Sequence, residues 1–327
     1  MYRAPVAAIN PCFPIELRDI QDFLAELGPY NGQYVARFPS NWMDEFSKHL
    51  DHLAPVERQT AKASLEKIRV SLVDSNLSYN ENLNWASNVK ESKADQRYKP
   101  IVGHGLDPGP FESWPVALPK LRDSKVRTWK FHGTWREYFE AIYPLLLNAP
   151  AAYLIDRYFD PYSQDSENLL SSILEKIKGS RCYQLHVITR LSQFARDQKN
   201  DADVDKEFKP GNALARAKIQ LDRIYKTKIP TNRTLEFHFI AEDAPNGKNL
   251  RMHNRYFLTK YGAIDFGQGF DIKEQPVPQM DAHIVDKLHH ANHCATFIDG
   301  VTRHKERLPK KQGIAYPITV DSHKIEK

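Results

Sequence analysis

Cysteine is scarce: Cys12, Cys182 and Cys294 lie far apart and no CxxC pair occurs. Thiols so spaced exclude a disulfide framework and suit a reducing compartment. Long apolar runs are missing as well. The longest, Ala141–Ile155, is interrupted by Pro144, Asn148 and Pro150, so it cannot cross a bilayer as a clean helix of about twenty residues. The opening residues, MYRAPVAAINPCFPIEL, carry no continuous apolar core of the signal-peptide kind. A cytoplasmic protein is therefore expected. Charge of one sign is also in short supply: a net +5 over 327 residues is compatible with an anionic partner and equally explained by solubility alone. There is no internal repeat.

What is present fits an ordinary globular chain, 41% hydrophobic and 27% charged, long enough to bury a sizeable core in one or two domains. Residues 1–95 read as a small α-helical module. Ile15, Ile20, Phe23 and Leu24 mark one helical face, ended by Gly28-Pro29. Ser40 can cap a helix carrying Trp42, Phe46 and Leu50, and Pro55 suits the first turn of one running to about Val73. A fourth short helix is expected after Asn80. The stretch Glu91–Pro119 turns polar and rich in Gly and Pro, and reads as a boundary or a long loop. The helical module is expected to recruit a protein partner.

From about residue 100 to 327 the period changes. Strands are expected at Val126–Phe131, Ala151–Phe159, Cys182–Thr189, Leu235–Ala241, His253–Thr259 and Ala263–Phe266. Helices are expected at Thr134–Leu147, Ser166–Lys178 and Ala213–Thr227. This alternation implies an α/β domain with a largely parallel sheet, a mixed edge and helices on both faces. The charged run Arg196–Lys209 reads as a surface loop, and the basic tail beyond Arg303 as a solvated segment or a phosphate-tracking arm.

The chemistry concentrates in NLRMHNRYFLTKYGAIDFGQGFDI, Asn249–Ile272. Strand alternation puts His253 and Arg255 on one face. Arg holds two phosphate oxygens in its planar fork, while His can attack phosphorus or shuttle a proton. Arg251 and Lys260 add positive charge nearby in sequence, and Gly267 and Gly269 permit a tight backbone path. Asp156 and Asp160 fall at and just beyond a strand end, where open α/β sheets place ligands. They could orient His253 or cap the next helix.

The segment resembles the phospholipase D superfamily motif, H-x-K followed by four residues and D. The resemblance implies His253 as nucleophile and Arg255 in the place of the phosphate-holding lysine, while the motif's aspartate position falls on Lys260. It is more closely similar to the phospholipase D-like C-terminal domain of MIT-domain proteins, through Ile264, Gly267, Gly269, Phe270 and Asp271 and through an upstream Asp160-Pro161-Tyr162. That family's Asp after His is Asn254 here. The resemblance implies a phosphate-bearing ligand, nucleic acid or anionic phospholipid, and a homodimer, since no second motif completes a catalytic pair. The expected function is binding with weak or no catalysis; an active dimeric phosphodiesterase and an interaction module without an anionic ligand are the alternatives. No cofactor or metal is expected. His289 and His293 have the i, i+4 spacing of a zinc pair, but no further ligand follows at a family spacing, and a surface or packing role is favoured. Trp129, Trp135 and Tyr138 are read as core rather than a base-stacking platform.

Overall fold

The computed structural model describes residues 6–12, 16–103, 111–123, 127–190, 210–240, 255–267, 280–299 and 315–321. The chain divides into two compact units, Arg3–Arg127 and a second that begins at Thr128. The first is not purely helical. Its strands β1 (Val6–Ile9), β2 (Tyr34–Arg37), β3 (Leu72–Asp74) and β4 (Ile101–Val102) form a parallel sheet in the order β3-β2-β1-β4. The helices expected from periodicity are there: α1 (Leu17–Glu26), α2 (Trp42–His49), α3 (Pro55–Arg69, with Pro55 in its first turn) and α4 (Trp85–Glu91). Asn84 caps α4 by accepting the Ser87 amide at 2.8 Å. After α1, Gly28 adopts φ +115°, and a Cβ there would meet Ser71 Oγ at 3.0 Å, so the turn into β2 requires glycine.

Two expectations are thereby corrected. The strands escaped detection because they are two to four residues long and buried on both faces, so they read as short apolar runs without alternation. The boundary falls at Arg127/Thr128, not near residues 95–100. The Gly/Pro-rich stretch contributes α5 (Ala94–Arg97), β4 and the start of α6 (Trp114–Asp123) to the first unit. One sheet face packs Ile20, Phe23, Trp42, Phe46 and Ile68 into a core; the other packs Trp85, Val89 and Tyr98.

The second unit is an eight-stranded mixed sheet. Its elements are β5 (Thr128–Phe131), α7 (Trp135–Asn148), β6 (Ala151–Ile155), α8 (Gln164–Ile177), β7 (Gln184–Arg190), α9 (Pro210–Tyr225), β8 (Thr234–Ile240), β9 (Tyr256–Thr259), β10 (Gly262–Asp265), β11 (Met280–Ile284), α10 (Lys287–His293) and β12 (Ala315–Asp321). The order is β12-β8-β7-β6-β9-β10-β11-β5, with β6, β7 and β8 mutually parallel and the other pairings antiparallel. Thr134 and Glu137 close a capping box at the start of α7. Helices α7, α8 and α9 layer one face, where Tyr225 of α9 meets Phe237 of β8 at 5.7 Å. On the other face α10 and a π-helical turn, Cys294–Ile298, cover Tyr153, Ile155, Ile188, Tyr256 and Leu258. The fold is α/β with helices on both faces of a mixed sheet. The tail beyond Arg303 is not wholly a solvated arm, since β12 adds an antiparallel edge to β8. Among the described residues, no helix is long and apolar enough to cross a membrane.

Trp42 is fully buried, stacks on Phe46 at a centroid distance of 4.9 Å and donates from Nε1 to the Ile9 carbonyl at 2.6 Å. Trp42→Ala is expected to destabilise the first unit by about 3–5 kcal/mol, read as a lowered urea midpoint. A loss below about 1 kcal/mol would contradict this packing.

Candidate anion-binding site

The expected strand Ala151–Phe159 ends early, at Ile155, because the next residue turns the chain. Asp156 Oδ1 accepts the Tyr158 amide at 2.8 Å, an Asx turn, while the Asp156 amide still donates to Ile188 of β7 at 2.9 Å. Asp156 itself is buried. A buried carboxylate calls for a cation, and β9 supplies it. The register Ile155↔Tyr256 brings Arg255 alongside, and its Nε donates to Asp156 Oδ1 at 3.2 Å. By strand alternation this pair lies on the sheet face opposite Tyr153 and Ile155.

Two residues not singled out in the sequence complete the cluster. Tyr158 is exposed, and the guanidinium carbons of Arg255 and Arg157 lie 5.0 and 4.8 Å from its ring centroid. Guanidinium groups over an aromatic face gain cation–π attraction while keeping in-plane donors for an anion. The signal for Arg157 and Tyr158 was present in IDRYFDPYS, but only the turn set by Asp156 brings them to Arg255.

The other expected site residues divide. The Phe266 amide donates to the Arg255 carbonyl at 2.8 Å, and next to it Gly267 adopts φ +54° with its amide bound to Asp265 Oδ1 at 2.7 Å. Gly267 therefore borders the site. Asp160 shapes the approach to α8: its Oδ1 accepts the Tyr162 amide at 3.0 Å, and its carbonyl accepts the hydroxyl of Ser163, the α8 cap. Asp160 therefore does not cap α8 itself, a role that falls to Ser163, and Tyr162 is half-buried beside it. Lys260 is not brought to Arg255. It sits in the β9–β10 turn over the Tyr261 ring, at the far end of a four-residue strand roughly 13 Å long. Arg251, His253, Gly269 and Asp271 lie outside the described residues.

The histidine run of α10 packs rather than converging on a metal. His290 is buried with Nε2 2.7 Å from the Thr259 carbonyl, His293 lies against Tyr256 at 4.2 Å, and His289 pairs with Asp286. Trp129 and Tyr138 are buried, as core residues should be. In the first unit, an open cleft of about 590 Å³ lies at the carboxyl ends of β1 and β2, lined by Asn10, Cys12, Asn41, Lys48, Tyr79 and Trp85. Lys48 is paired with Glu45 at 2.9 Å, so it is not a ready phosphate ligand, and burial pushes the Cys12 thiol up, away from thiolate chemistry. No protein-family model matches the chain, and no curated protein matches it in sequence.

Asp156→Ala leaves the largely buried Arg255 guanidinium without its carboxylate, and is expected to cost on the order of 3 kcal/mol in chemical denaturation. A cost near zero would mean that the pair does not hold the β6 turn. Burial also lowers the pKa of His290 and of His293. A histidine kept neutral by the fold contributes stability above its unfolded pKa, near 6.5, and loses it as pH falls through that value towards the lowered folded one. The urea midpoint of the second unit is expected to fall between about pH 7 and pH 5.5. The fall should be smaller in His290→Gln, whose amide can still donate to Thr259.

Proposed function

We propose that the second unit binds a phosphate-bearing ligand, a nucleic acid or a phospholipid headgroup, through a degenerate phospholipase D-like H-x-R segment with little or no turnover. The observation that carries this reading is the pair of guanidinium groups, Arg255 and Arg157, flanking exposed Tyr158 at the carboxyl end of β6. Among the described residues, Arg255 spends Nε on Asp156 and keeps its remaining fork for a ligand. The carboxyl edge of parallel strands is where open α/β sheets receive ligands. His253, two residues before Arg255 in the sequence, would act beside it in this reading and lies outside the described residues. With Lys260 displaced to the other end of β9, the phosphate-holding role rests on Arg255 and Arg157.

The test is a panel of labelled DNA, RNA and phosphoinositide vesicles, assayed for binding and for cleavage. Arg255→Lys keeps the charge that Asp156 needs but loses the fork, and Arg157→Ala removes the second guanidinium. Each is expected to weaken binding by tenfold to a hundredfold, the equivalent of about 1.5–3 kcal/mol. Binding should weaken with added salt. Indifference to both substitutions, or no binding across the panel, would overturn the proposal. Metal-independent phosphodiester cleavage lost in His253→Ala would replace it with the enzyme reading, in which a dimer supplies the second motif.

A further inference from the structure

Strand pairing places a second polar cluster inside the sheet, on the face opposite the Asp156–Arg255 pair. In the parallel ladder of β7 and β8, His186 stands directly across from Glu236, and His238 lies two residues further along β8. Side chains two apart share a face, so all three converge from one side of the sheet. All are buried, with relative exposures of 3%, 5% and 2%, so any group they bind is enclosed.

The separations carry the inference. His186 Nδ1 and His238 Nε2 are 3.0 Å apart, and Glu236 Oε2 lies 3.5 Å from the first and 3.4 Å from the second. Charge-assisted hydrogen bonds between imidazole and carboxylate run at about 2.7–2.9 Å, so both carboxylate distances are long for that purpose. Ligand atoms at about 2.0–2.1 Å from a tetrahedral zinc ion stand about 3.3–3.4 Å from one another. The three observed separations bracket that edge length. The His186 ring is held flat against Tyr153, with centroids 4.4 Å apart and planes 7° off parallel. Tyr153 thus walls one side of the cluster.

We propose that His186, Glu236 and His238 form a zinc-type divalent metal site, with two imidazoles and one carboxylate as ligands and the fourth position taken by water or a small ligand. Two neutral nitrogen donors and one carboxylate suit zinc among the first-row ions. The ion would tie the parallel strands β7 and β8 together in the interior of the second unit. This assignment stands apart from the phosphate-binding proposal, since the two clusters occupy opposite faces and share no residue.

The test uses the full chain, stripped with a chelator, dialysed and titrated with zinc alone. About one equivalent should bind, and cobalt in its place should give the visible absorption of a tetrahedral site. Glu236→Gln and His238→Gln preserve side-chain volume and polarity, so folding can be checked by circular dichroism before metal is added. Each should weaken zinc binding by more than tenfold, while His289→Ala/His293→Ala should bind as the parent does. Zinc should raise the melting temperature of the parent chain and leave that of folded Glu236→Gln unchanged. Binding well below one equivalent in the folded parent would overturn the proposal, as would binding indifferent to Glu236 and His238 or lost with His289 and His293. Should both substituted chains fail to fold, the parent decides: bound zinc without the tetrahedral cobalt spectrum would also overturn it.

Discussion

The second unit depends on the position of β6 between a parallel neighbour and an antiparallel one. β7 runs alongside it from Ala151↔Gln184 to Ile155↔Ile188, while β9 opposes it from Ala152↔Thr259 to Ile155↔Tyr256. At the carboxyl end of β6 the first ladder carries one step further, through the Asp156 amide and the Ile188 carbonyl. A carboxylate is thereby buried where the strand stops. Its charge is met by the residue that the antiparallel register places beside it, Arg255. Were β9 shifted by one residue, Arg255 would turn to the opposite face and leave the carboxylate without this guanidinium.

Under the proposed reading, Arg255 would have two duties that compete for one guanidinium. Its Nε secures the end of β6, and its guanidinium lies over the Tyr158 ring. An arginine suits this division, because its planar geometry allows one edge to be structural while the other receives a ligand. A lysine, with a single rotatable ammonium, could do either but not both with the same geometry.

The two faces of the sheet differ in chemistry because alternation segregates their side chains. On β6, Leu154 and the following Asp156 share one face, and Tyr153 and Ile155 the other. The α10 face holds an apolar core around Tyr256 and Phe297, and also His186, Glu236 and His238, which an apolar interior admits only when paired, hydrogen-bonded or bound to an ion. Central strands of a parallel set are buried on both sides, so polar residues within them have structural or ligand roles rather than solvent-facing ones.

Much of the second unit was legible along the chain. Segments such as Thr134–Leu147 and Leu235–Ala241 carry complete local signals, a cap with helical periodicity or a bounded apolar run, and they fold within two or three residues of those bounds. The strands of the first unit were not legible, since VAAI and IV are too short to show a period and gain their hydrogen bonds only from distant partners. His253 and Arg255 stood out because their spacing is local. The links from Arg255 to Asp156, 99 residues away, and from His186 to His238, 52 residues away, did not, although LHVIT and LEFHF display those histidines openly. By itself the sequence determined which segments become helices, which apolar runs can join a sheet and where the H-x-R segment lies, because these follow from contacts within a few residues. Strand order and register were decided by tertiary structure alone, because hydrogen bonding between strands depends on partners that chain proximity does not specify.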